Sequence, residues 1–83
     1  MLTALILSYD HAVRGLDLSI TESIEESKIE ILDYFHYEIG STLCTELCIF
    51  QDSQRKADAL REYLATKHGV KSARLIRLEG TQY

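Results

Sequence analysis

Basic residues are scarce in this 83-residue chain: nine Lys and Arg face thirteen Asp and Glu, giving a formal net charge of -4 and an isoelectric point near 5.2. Binding to nucleic acid leans on Lys and Arg that neutralise phosphates, so direct contact with DNA or RNA is not expected. Long apolar runs are missing too. Met1 to Leu7 is apolar but too short to cross a bilayer and carries no basic leader, so it reads as a strand, not as a signal peptide or membrane anchor. Cysteine is limited to Cys44 and Cys48. On one strand they would lie two pleats apart on the same side, too far for a disulfide, and reduced thiols in the cytoplasm are expected. Linkers, low-complexity stretches and repeats beyond two βαβ-like halves are also missing.

What is present suits a globular chain, with 46% hydrophobic and 27% charged residues. Residues 1–83 read as one domain, small enough that a single core is marginal and a homo-oligomer is expected. Leu2 to Leu7 reads as a strand buried on both faces. Asp10 can cap a helix starting near His11, with Val13, Leu16, Ile20 and Ile24 at helical spacing. Gly15 weakens that helix, and Glu22, Glu25, Glu26 and Lys28 make its end polar. Two strands follow around the turn Gly40-Ser41-Thr42. Asp52-Ser53 then caps a second helix, whose stripe of Ala57, Leu60 and Leu64 runs out at Gly69, and Val70 to Leu78 closes the chain as a strand. The order β-α-β-β-α-β predicts an α+β, ferredoxin-like fold: a four-stranded antiparallel sheet with both helices on one face.

The hairpin carries the chemistry. Alternation puts Leu32, Tyr34, His36 and Glu38 on one face with Cys44, Glu46, Cys48 and Phe50. Ile29, Ile31, Phe35, Tyr37 and Ile39 share the other with Leu43, Leu47 and Ile49, which reads as the core face. The face with the donors is then the one the helices leave bare, to be buried against another subunit. His36-x-Glu38 and Cys44 across the turn would bring an imidazole nitrogen, a carboxylate oxygen and a thiolate to one point, leaving a fourth position for a neighbouring subunit. The same residues also read as interface polar groups and small buried thiols.

Four other residues read as follows. Cys48 lies about 13 Å along the strand, hard to bring to the same ion. His11 reads as a solvated helix-start residue or an accessory ligand, and His68 as a cation in the last turn of the second helix. Glu46 orients a ligand or is an interface carboxylate. Cys44 with His36 lacks a third orienting group, so no enzyme is expected.

From Leu5 to Leu78 the chain resembles the C-terminal regulatory domain of the nickel-responsive regulators, the NikR family. The resemblance rests on Leu7-Ser8-Tyr9-Asp10-His11 with Arg14, on the hairpin with His36 and Cys44-x-Glu46, and on His68-Gly69-Val70-Lys71 before Arg74-Leu75. It implies an ACT-like βαββαβ unit assembled as a homotetramer, with nickel held in square-planar geometry at subunit interfaces by three histidines and a cysteine. His36 and Cys44 match two of these ligands. Glu38 stands at a third position, and Glu25 at the one contributed by the partner subunit. Two carboxylates in place of imidazoles open the site to other transition metals, namely zinc, cobalt or ferrous iron. They also leave room for a degenerate site, in an ACT-like module that binds a small effector near Tyr9 to Gly15 or serves assembly alone. The family's ribbon-helix-helix DNA-binding domain has no counterpart before the first strand. That implies either an excised domain or a stand-alone sensor acting through a regulatory protein partner.

Overall fold

Apolar side chains on both sides of the first strand suit a central position, and β1 (Leu2–Asp10) takes one, flanked by β3 (Leu43–Gln51) and β4 (Val70–Arg77). The computed structural model describes residues 2–40 and 42–78. Its remaining elements are α1 (Leu16–Glu26), β2 (Glu30–Ile39) and α2 (Gln54–Ala65), and the four strands lie in the order β2-β3-β1-β4, every neighbouring pair antiparallel. The expected ferredoxin-like arrangement is therefore found. Ser41, in the turn read from the sequence, lies outside the described residues.

The core lies on the opposite sheet face from the one the alternation suggests. Leu16, Ile20 and Ile24 of α1 and Ala57, Leu60 and Leu64 of α2 pack with Leu5, Leu7 and Tyr9 of β1 and with Cys44, Cys48 and Phe50 of β3. The face carrying Cys44, Glu46 and Cys48 is thus the interior one. The bare face presents Leu43, Leu47 and Ile49 with Phe35, Tyr37 and Ile39, the last two more than half exposed. Both faces of β1 and β3 are apolar, so alternation alone does not say which one the helices cover. A bulge sharpens the problem: Ile31 pairs with Phe50 and Asp33 with Ile49, so Leu32 is the extra residue and Ile31 joins Tyr34 on the helix side. The edge strand β2 extends beyond the helices, and all of its residues are exposed.

Helix α1 begins five residues later than expected. Gly15 stands at its N-cap with φ of 76°, a left-handed conformation that ends the preceding turn instead of continuing a helix from His11. The Asp10 carboxylate instead accepts a hydrogen bond from the Ala12 amide at 2.9 Å. At α2, Ser53 Oγ accepts from the Lys56 amide at 3.2 Å, the N-cap expected there. The helix ends at Ala65, so His68 lies in the turn that follows, not in the last helical turn. Gly69 has φ of 96°, and a Cβ there would come within 2.8 Å of the Val13 side chain. Its carbonyl accepts the Asp10 amide at 2.8 Å, tying the end of β1 to the start of β4.

Candidate metal centre

Cys44, the second residue of β3, sits opposite Glu38 of β2 on one side and Tyr9 of β1 on the other. It is fully buried and forms the floor of the site. His36, two residues before Glu38 and on the same face, stands opposite Glu46. Its Nε2 is 3.8 Å from Cys44 Sγ and 3.9 Å from Glu38 Oε1. The sequence-predicted trio of His36, Glu38 and Cys44 is therefore brought together.

A fourth donor comes from the β1–α1 loop. The His11 amide donates to the Thr42 carbonyl in the hairpin turn, which lays the loop against the turn end of the hairpin. His11 Nε2 is then 3.8 Å from Glu38 Oε1, and one donor atom each of His11, Glu38 and Cys44 lie within 4.8 Å of one another. His11 and Glu38 are exposed at the rim above the buried thiol, which leaves the site open to solvent.

Glu46 lies beneath. Its side chain is 5% exposed, and Oε1 accepts the Tyr9 hydroxyl at 3.1 Å and faces His36 Nδ1 at 3.2 Å. A buried carboxylate against Nδ1 holds the ring proton there, which turns the lone pair of Nε2 towards Cys44 and Glu38. Oε2 of Glu46 has no hydrogen-bond partner among the described residues.

The electrostatics favour a cation. Burial, with Glu46 next in effect, pushes the Tyr9 phenol far above its usual range. Burial does the same for Tyr34, with the Glu46 carboxylate next in effect, so both stay protonated. Burial also pushes the Cys44 thiol up; its hydrogen bond with Tyr9 opposes this, while Glu38, Glu46 and Asp17 add to it. A thiol held protonated by burial, with nearby carboxylates adding to the effect, becomes a thiolate when a positive ion binds it, because the ion supplies the counter-charge that the site lacks. Imidazole, carboxylate and thiolate donors fit a divalent transition metal.

The other sequence candidates lie elsewhere. Glu25 is exposed on α1 and lines a cavity of about 190 Å³ with Thr21, Ile24, Ile31 and Tyr34, away from Cys44 within the chain. Cys48 lies opposite Leu5 and Tyr34, and both cysteines are free thiols. The weight of His11 is the feature a reading along the chain understates. Its position depends on a bond to Thr42, and the one local signal is that Tyr9, two residues earlier, pairs with Cys44 near the end of β1.

A family model described as the NikR C-terminal nickel-binding domain matches residues 3–78. Among solved structures, the ACT domain from GTP pyrophosphokinase of Chlorobium tepidum aligns with a TM-score of 0.78 at 18% identity, covering 92% of this chain and 97% of that one. The C-terminal domain of the MgtC protein from Mycobacterium tuberculosis aligns at 0.77 with 12% identity, over 98% of this chain and 90% of the other. An uncharacterised protein from Thermotoga maritima aligns at 0.83 with 14% identity, over 94% and 96%. At these identities the likeness is one of fold. No curated protein sequence matches the chain.

Proposed function

The chain belongs to the family of the NikR C-terminal nickel-binding domain, and on that premise we propose that it is a metal-responsive regulatory and oligomerisation domain holding a transition metal on His36, Glu38 and Cys44. The observation that carries this reading is the approach of the His36 Nε2 to both Cys44 Sγ and Glu38 Oε1, at 3.8 and 3.9 Å. Nickel is the ion the family implies; zinc, cobalt and ferrous iron suit a donor set richer in carboxylate. The bare sheet face, with Phe35, Tyr37, Ile39 and Ile76 exposed, supports assembly with further copies, a tetramer by analogy with the family. Regulation would pass through the assembly or a protein partner, and the reduced thiols suit a cytoplasmic setting.

Effector binding is the second reading, and the cavity between α1 and β2 is where it would act. At about 190 Å³ it is smaller than the roughly 300–1,000 Å³ usual for small-molecule sites, so the metal reading is preferred. The test is elemental analysis of the purified protein together with its mass in solution, before and after chelation. About one metal per chain, removed by chelation with a loss of stability, is the expected result, since binding energy at such a site adds to folding energy. Protein that takes up no nickel, zinc, cobalt or iron above background would overturn the proposal.

A further inference from the structure

The hairpin trio leaves one position around the ion to fill, and two residues compete for it. The family pattern assigns it to Glu25 of a second copy. In the structure Glu25 stands by Ile31 and Tyr34, residues that pair with Phe50 and Cys48. That is the far end of β2 from Cys44, so within one chain Glu25 cannot reach the trio and only a second copy could supply it. His11, in contrast, is already beside the trio, its donor atom within 4.8 Å of those of Glu38 and Cys44.

We propose that His11 fills the fourth position, so that each chain holds a complete His11–His36–Glu38–Cys44 site whose ligand is a four-coordinate, tetrahedral-preferring divalent cation of the zinc class. The inference rests on the metal-binding reading above and specifies the ion and the source of its last ligand.

Spacing supports it first. Metal–ligand bonds of about 2.0–2.3 Å put neighbouring donors of a tetrahedral site roughly 3.3–3.8 Å apart. The His36–Cys44, His36–Glu38 and His11–Glu38 pairs stand at 3.8, 3.9 and 3.8 Å, and His11, Glu38 and Cys44 offer donor atoms within 4.8 Å of one another, so the set closes once the rim side chains draw in over the thiol. The exposed rim side chains of His11 and Glu38 can make that movement while Cys44 and Glu46 stay fixed in the core. Charge supports it next. A divalent cation with one thiolate, one carboxylate and two neutral imidazoles is neutral overall. Replacing His11 with a second carboxylate leaves a net negative charge beside Glu46 and Asp17, both of which already act on Cys44. That excess charge weighs most at the buried Cys44, the one ligand away from solvent.

The backbone supplies the third support. The hydrogen bonds from the His11 amide to Thr42, the Asp10 amide to Gly69 and the Ala12 amide to the Asp10 carboxylate fix the loop from both sides before any ion binds. The backbone of His11 is thus positioned in advance and only its side chain remains to be ordered, which lowers the cost of binding.

The proposal separates ion binding from subunit exchange. Cobalt(II) is the probe, titrated into the metal-free full chain and followed by the intense visible absorption of four-coordinate cobalt and the thiolate-to-cobalt band in the near ultraviolet. The expected result is one cobalt per chain with a tetrahedral spectrum, displaced by zinc more readily than by nickel. H11A should weaken binding at least tenfold and lose the tetrahedral spectrum, while E25Q leaves both unchanged. Circular dichroism of both variants checks that the fold is kept, as expected for two exposed side chains. Cobalt bound equally well by H11A, or lost in E25Q, overturns this inference and leaves the metal-binding function standing. A wild-type chain that binds no cobalt, zinc or nickel overturns both.

Discussion

Glu46 shows how one buried carboxylate can decide the chemistry of its neighbours. Its Oε1 collects the Tyr9 hydroxyl and His36 Nδ1, and through the latter it sets which ring nitrogen of His36 is free to bind. Glu46→Gln keeps the size of the side chain but removes the charge that holds the proton on Nδ1. Cobalt affinity is expected to fall about 10–100-fold, the usual effect of losing such an orienting partner, and the tautomer change is readable in the nitrogen chemical shifts of the ring. Unchanged affinity would mean that Glu46 merely fills the core. The sequence presents Cys44-x-Glu46 as a pair, so the presence of a supporting carboxylate is legible there. That it is buried and shared with Tyr9 is not, because Tyr9 reaches it across a strand pairing 37 residues apart.

Among the elements, the helices and strands read well where periodicity is strong. Leu16, Ile20 and Ile24, and again Ala57, Leu60 and Leu64, fall on one side of their helices and are buried as expected. The assignment of faces failed for a physical reason. Leu47 and Ile49 are as apolar as Cys48 and Phe50, and the choice between them is made by where α1 and α2 dock, which neither strand encodes alone. Gly69 belongs at this scale because it joins two elements. Its positive φ and the 2.8 Å approach of a hypothetical Cβ to Val13 leave no room for a side chain. Gly69→Ala is expected to cost about 1–3 kcal/mol of stability, measured by urea unfolding, through left-handed strain together with the clash. A loss well below 1 kcal/mol would show that the loop relaxes freely.

For the molecule as a whole, the distribution of cover is uneven. The pairs β1–β3 and β1–β4 lie beneath two helices, while β2 has one neighbouring strand and no buried residue. Strand β2 also carries two of the proposed ligands, His36 and Glu38, at the end next to the loop that holds His11. Local opening is easiest where few apolar contacts must break. Amide hydrogen exchange is therefore expected to be fast along β2 in the metal-free protein and to slow there most when zinc is added, with β1 hardly changed. Uniform slowing across the sheet would contradict this. The bare edge has a consequence of its own. A strand secured at one tip by an ion and elsewhere by a single neighbour resembles a reed clamped at one end. What the ion alters is the stiffness of a surface rich in Phe35, Tyr37 and Ile39, so a partner reading that surface would sense the metal as firmness, without any change of shape.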